Sequence, residues 1–133
     1  MRQTRLEESI IGTHPLVSVV DDDESVRESL PDLIKEFGFA VQAFASAQEF
    51  LASPYLDLTH CLILDVAMPG MSGPDLQREL LRRDYRIPVI FITAHGDDSE
   101  QAKLLNSGAV ECLFKPFSEA QLLKALSAAL PLD

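Results

Sequence analysis

A single doubly wound α/β domain, with a five-stranded parallel sheet and helices on both faces, is the fold class this sequence predicts. Three observations carry it. Five short apolar runs alternate with five amphipathic segments, and each strand–helix unit is too short to be divided between two domains. The runs are rich in aliphatic and β-branched residues, as strands buried on both faces require. The 133 residues are 47% apolar and 24% charged, which suits one globular core without disulfide or metal staples.

The elements follow in order. Leu16 to Val20 is apolar, largely β-branched and closed by acids, and reads as the first strand. Val26, Leu30, Leu33, Ile34 and Phe37 then recur at helical spacing until Gly38, with Pro31 expected to kink or weaken the middle of this Ser25–Phe37 helix. Phe39 to Phe44 alternates as a second strand, and Ser46 caps a short helix that Pro54 closes. The third strand, Cys61 to Leu64, ends on Asp65; a loop through Gly73 leads to a helix from Pro74 to Arg83. Ile87 to Ile92 is strand four, Asp98 to Ser107 a helix, Val110 to Phe114 strand five and Ser118 to Leu130 the last helix. Residues 1–14 are expected to form a tail, with a turn of helix around Leu6 to Ile11 as the alternative, so the domain proper is 15–133.

Composition excludes several functions. With 21 acids against 11 bases the formal charge is −10, so direct contact between this chain and a phosphate backbone is not expected. No apolar stretch reaches the roughly 20 residues of a membrane span. The opening Met1-Arg2-Gln3-Thr4-Arg5 lacks a signal-peptide core, which points to a cytoplasmic protein. Cys61 and Cys112 sit in apolar runs, which speaks against a disulfide framework, and Cys112 reads as a buried core thiol rather than a redox sensor.

Ligands of open α/β sheets bind at the carboxyl ends of the strands. Strand one delivers Asp21-Asp22-Asp23-Glu24 there, strand three Asp65, strand four Thr93 and strand five Lys115-Pro116. Carboxylates gathered in this way repel one another unless a hard divalent cation is held between them. The plainer reading of Asp21 to Glu24 is a cap for the following helix, but it leaves Asp65 and Lys115 unexplained. A phosphate-cradling glycine turn, a dinucleotide fingerprint, an EF-hand loop and a nucleophile elbow are all missing.

Taken together, Val19-Val20-Asp21-Asp22-Asp23-Glu24, the Asp65-x-x-Met68-Pro69-x-x-x-Gly73 loop, Ile92-Thr93-Ala94 and Phe114-Lys115-Pro116-Phe117 resemble the receiver domain of two-component response regulators. The likeness spans about Leu16 to Leu130. Thr93-Ala94-His95-Gly96-Asp97 and Ser107-Gly108-Ala109-Val110 are similar to the FixJ-type branch. The resemblance implies a flavodoxin-like sheet of order 2-1-3-4-5 and Asp65 as phosphoacceptor for a sensor histidine kinase. It implies Mg²⁺ (or Mn²⁺) on Asp22, Asp65 and the Ala67 carbonyl, with Asp21 acting through water. Thr93 and Lys115 would hold phosphoryl oxygens, and Lys115-Pro116 would be a cis peptide. It also implies a self-modifying switch for its own output domain or a downstream effector, rather than a turnover enzyme. A phosphorylation-independent interaction module on the same fold is the alternative, and a metal-dependent phosphatase a weaker third.

Two positions stand out against that pattern. The resemblance leads one to expect an aromatic three residues before the lysine, moving with Thr93, yet Cys112 stands there. A thiol cannot report by ring rotation, so backbone shifts after strand four and in the Asp98–Ser107 helix are expected to carry the signal. His95 is placed to guide or screen the water that hydrolyses an acyl phosphate, or is an ordinary loop residue. Arg78, Arg82, Arg83 and Arg86 read as a solvated face suited to a helix C-terminus. The last helix carries only Glu119 and Lys124 as charges, and this sparseness predicts a conditional homodimer through its outer face.

Overall fold

The computed structural model describes residues 14–94 and 96–130. Residues 1–13 of the expected tail 1–14, His95 and residues 131–133 lie outside the described residues. The elements run β1 (Leu16–Val20), α1 (Glu24–Glu36), β2 (Ala40–Phe44), α2 (Ala47–Leu51), a 3₁₀ turn (Pro54–Leu58), β3 (Cys61–Asp65), α3 (Gly73–Arg82), β4 (Val89–Thr93), α4 (Asp98–Asn106), β5 (Glu111–Phe114) and α5 (Glu119–Ala129). All strand pairs are parallel, in the order β2-β1-β3-β4-β5.

Two apolar layers sandwich this sheet. On one face Leu30 and Ile34 of α1 and Leu122, Ala125, Leu126 and Ala129 of α5 pack on Val17, Val19, Ile63, Ile90 and Ile92. On the other, Phe50 of α2, Leu76 and Leu80 of α3 and Leu104 of α4 pack on Val20, Leu62, Leu64 and Phe91. Every residue of β1, β3 and β4 is buried, which is why these strands read as near-continuous apolar runs, broken only by Ser18 and closed by Asp65 and Thr93.

Local chemistry sets the boundaries. Helix α1 runs through Pro31 as one element. Leu30 and Ile34, either side of the proline, are both buried, and this anchoring offsets the hydrogen bond that proline cannot donate. β4 begins two residues later than its apolar run, because Pro88 has no N–H for the ladder; its carbonyl still accepts from Leu62 N at 2.9 Å. Ser72 and Ser118 close reciprocal capping boxes with Asp75 and Gln121, fixing the starts of α3 and α5. The 3₁₀ turn was not expected; Ser53 caps it and Pro54 occupies its first turn.

Helix α4 is the least anchored. Leu104 is its only buried residue. Its C-terminal end is tied to α3 by Ser107, whose hydroxyl donates to Gln77 Oε1 at 2.9 Å.

Candidate functional site

The carboxyl ends of β1, β3, β4 and β5 meet at one edge, and the acid turn after β1 divides into two roles there. Asp23 is the N-cap of α1 and accepts from Ser25 N, while Glu24 lies in the first turn; for these two the helix-cap reading is right. Asp21 and Asp22 belong elsewhere. One carboxylate oxygen from each of Asp21, Asp22 and Asp65 can be drawn within 4.8 Å of the others.

Asp21 is fully buried, and every polar atom of it is held. Its N–H donates to the Phe44 carbonyl at 3.1 Å. Its Oδ1 accepts from Asp23 N at 2.9 Å and its Oδ2 from Lys115 Nζ at 2.9 Å. Its carbonyl accepts from Arg27 Nη1 at 3.0 Å. Arg27 is therefore a component of the acid turn that the sequence reading did not single out; only the fold turns this side chain of α1 back over the end of β1.

Asp65, at 5% exposure, lies 3.5 Å from Lys115 Nζ through Oδ1. Burial, and then the charge of Asp21, push its carboxyl up to about 7, with Lys115 offsetting part of the rise. Burial alone would lower the Lys115 ammonium, but its bond to Asp21 and the charges of Asp21 and Asp65 hold it above its ordinary value. Thr93 ends β4 at 4% exposure, and its carbonyl accepts from Lys115 N at 2.8 Å. Ala67 lies exposed in the loop two residues beyond Asp65. The Lys115–Pro116 peptide is cis.

This electrostatics has a measurable consequence. Between its ordinary 3.8 and about 7, Asp65 binds its proton more tightly in the native than in the unfolded chain, so its contribution to stability falls as pH rises through that window. Asp65→Asn is therefore expected to stabilise the metal-free protein at pH 8, on the order of 1–3 kcal/mol, with the gain fading as pH falls towards 4. Urea unfolding in EDTA at both pH values measures it; destabilisation at pH 8 would contradict the charge balance described here.

The donor set suits a hard divalent cation: three carboxylates, two of them buried, with only one lysine against them among the described residues. Asp22 is exposed at the mouth and Asp65 lies at the base. Both oxygens of Asp21 already accept bonds from the protein, which suits a ligand acting through water.

Other candidate residues fall outside the cluster. Arg78 pairs with Asp75, Arg82 and Arg83 with Glu79, and Arg86 with Asp84, all on or just after α3. Solvent-accessible pairs of this kind contribute little to stability, and the four arginines against three acids make a solvated face. Cys112 lies on β5 at 4% exposure, and burial raises its thiol; burial pushes Cys61 up to about 12. In both, burial disfavours the thiolate that a redox sensor needs.

Residues 17–127 match the response regulator receiver domain family. Nodulation protein W of Bradyrhizobium diazoefficiens is 48% identical over 122 residues, covering 92% of this chain and 54% of the relative. Transcriptional regulatory protein FixJ of Azorhizobium caulinodans is 43% identical over 115 residues, covering 86% and 54%. Among solved structures, FixJ-N aligns with TM-score 0.76 at 37% identity over 89% of this chain and 95% of that one. The response regulator StyR aligns with TM-score 0.79 at 46% identity, over 86% and 58%. The chain spans about half the length of the curated relatives it matches. Five parallel strands in this order, four motifs at their carboxyl ends and a match along most of the length have one meaning: the chain belongs to the response regulator receiver domain family.

Proposed function

We propose that this chain takes a phosphoryl group from a phosphohistidine of a sensor histidine kinase onto Asp65, with Mg²⁺ or Mn²⁺, and thereby switches a downstream output. The observation that carries the reading is the buried Asp65 carboxylate, facing Lys115 at 3.5 Å while Asp21 holds that lysine in place at 2.9 Å. An oxygen of Asp65 attacks phosphorus, the P–N bond breaks, and the imidazole leaves with the electron pair. Lys115 meets the charge on the transferring oxygens, and the Thr93 hydroxyl orients one of them. Phosphoryl transfer is mostly positioning and charge stabilisation, which these fixed groups provide. A divalent cation, when bound by Asp22, Asp65 and the Ala67 carbonyl with Asp21 behind water, supplies the positive charge that lets carboxylate and phosphoryl group approach. Hydrolysis of the acyl phosphate then returns Asp65, so the chain modifies and resets itself rather than turning over an external substrate. His95 is proposed to influence that step.

The partners follow from the same reading. An apolar groove of about 350 Å³ lined by Val26, Leu30, Leu33 and Phe117 opens beside Lys115 and supports docking of a protein donor. An output domain of the same protein, or a separate effector, receives the signal. Leu123 of α5 is 42% exposed, which supports a conditional homodimer. Among the described residues no helix is long and apolar enough to cross a membrane, and the charge gives nucleic acid no hold here, which fits a cytoplasmic switch.

Incubation with acetyl phosphate and Mg²⁺ followed by intact mass spectrometry tests this directly. A single phosphoryl adduct is expected, absent in Asp65→Asn. No adduct, or one that survives the substitution, overturns the reading and leaves a phosphorylation-independent module.

A further inference from the structure

We propose that Phe114 is the positioning residue that carries the state of Thr93 to the outer surface of β5. This rests on the receiver reading above and names the side chain that conveys it. In the β4–β5 ladder the register pairs Thr93 with Phe114, and Phe91 with Cys112. Paired positions on neighbouring parallel strands present their side chains to the same face of the sheet, so the lateral neighbour of Thr93 is the phenylalanine. Cys112 lies a full pleat repeat back. Gly96 shows the same proximity: a methyl group added there would lie 3.0 Å from Phe114 Cε1, 3.7 Å from Thr93 Cγ2 and 3.3 Å from Glu100 Oε1. Ring, threonine methyl and the first turn of α4 therefore converge on one glycine.

The ring is also able to move. Phe114 is 37% exposed on the last strand of the sheet. Beside it, between α4 and α5, runs a groove of about 270 Å³ lined also by Gln101, Glu111, Cys112, Gln121 and Lys124. The small thiol at 112 leaves that groove open to a ring two residues along the same strand face. Aromatic side chains occupy discrete rotamers, so a shift of their neighbours changes a population rather than bending the ring. When a phosphoryl group on Asp65 draws the Thr93 hydroxyl inward, the threonine methyl leaves the space around Gly96 that it shares with the ring, and Phe114 turns further into the groove whose wall it already forms. The large apolar side chain then covers more of the surface between α4 and α5. Signalling does not depend on an aromatic at Cys112, because the ring sits next to the moving residue instead.

The chain contains no tryptophan, so Phe114→Trp introduces a sole indole at the position in question. Acetyl phosphate with Mg²⁺ is expected to shift its emission maximum and its quenching by acrylamide in the same samples whose intact mass gains a phosphoryl group. Mg²⁺ alone is expected to leave both unchanged, as is phosphorylation of a Tyr55→Trp control. An adduct without a change at position 114, or a change with Mg²⁺ alone, overturns the role of Phe114 and leaves the receiver reading standing; no adduct overturns both. As a second arm, Phe114→Ala removes a surface side chain and is expected to fold and to take up the phosphoryl group. Its phosphorylation-dependent amide shifts at Gln101, Glu111, Gln121 and Lys124 are expected to fall by more than half, with those around Asp65 retained. Undiminished shifts in the groove would also overturn it.

Discussion

Replacing Lys115 by methionine is expected to slow phosphoryl transfer to Asp65 by a factor on the order of 10², the loss typical when one preorganised group facing developing charge is removed. The lysine has two partners, Asp21 Oδ2 at 2.9 Å and Asp65 Oδ1 at 3.5 Å, so its removal has two consequences. The transferring oxygens lose their cation, and the acid cluster loses the charge that offsets its repulsion. Stability and rate are separable in the measurement. Saturating Mg²⁺ is expected to restore most of the melting temperature lost in the variant, because a divalent ion also neutralises carboxylates. It is not expected to restore the rate, because an ion on the proposed ligands Asp22 and Asp65 would not occupy the place of the ammonium. Intact mass against time at saturating Mg²⁺ and fixed acetyl phosphate gives the rate. A variant phosphorylated as fast as the native chain would show that Lys115 only balances charge.

The strand ends were legible because period, run length and turn residues act locally. Leu16 to Val20 and Cys61 to Leu64 are buried on both faces, so, Ser18 apart, their residues read as apolar runs whatever packs on them. That Asp21, Asp65, Thr93 and Lys115 share an edge follows from parallel topology alone. Which atom meets which does not follow. Lys115 is nearest Asp21, 94 residues away in the chain, and nothing in the sequence chooses Asp21 over Asp22 as its partner. The same limit hid Arg27, whose hydrogen bond to the Asp21 carbonyl exists only because α1 turns back over β1. It also hid Phe114, since the resemblance draws attention to position 112 and only the β4–β5 register places Thr93 beside 114. The division of the acid turn, with Asp23 capping α1 while Asp21 and Asp22 face Asp65, depends on backbone direction at the end of β1. Four consecutive acids look alike until that direction is known.

Gly73→Ala is expected to be among the most damaging single-methyl changes in the chain. Gly73 opens α3, and its N–H donates to the Val66 carbonyl at 3.0 Å, closing the loop that begins at Asp65. A Cβ there would lie 2.4 Å from the Asp65 carbonyl oxygen and 3.1 Å from both Asp65 C and Val66 Cα. All three atoms are backbone, so no rotamer change can relieve the contact, and either α3 or the end of β3 must shift. Overpacking against well-fixed atoms costs about 1–3 kcal/mol, and the absence of any yielding side chain places this site at the upper end or beyond. The displaced atoms belong to the residue proposed to accept the phosphoryl group, so the rate should fall even where the fold survives. Gly70→Ala in the same loop is the informative comparison. Gly70 has φ +78°, but the nearest atom to an added methyl is the flexible Gln48 Nε2 at 3.5 Å. Its cost is therefore conformational, about 1–2 kcal/mol, without a push on Asp65. Urea unfolding should rank Gly73→Ala as clearly less stable than Gly70→Ala. Intact mass after acetyl phosphate at low temperature, where both remain folded, should show slow labelling for Gly73→Ala and near-native labelling for Gly70→Ala. Equal losses in both variants would mean that the loop yields as a whole and that Gly73 does not define the position of Asp65.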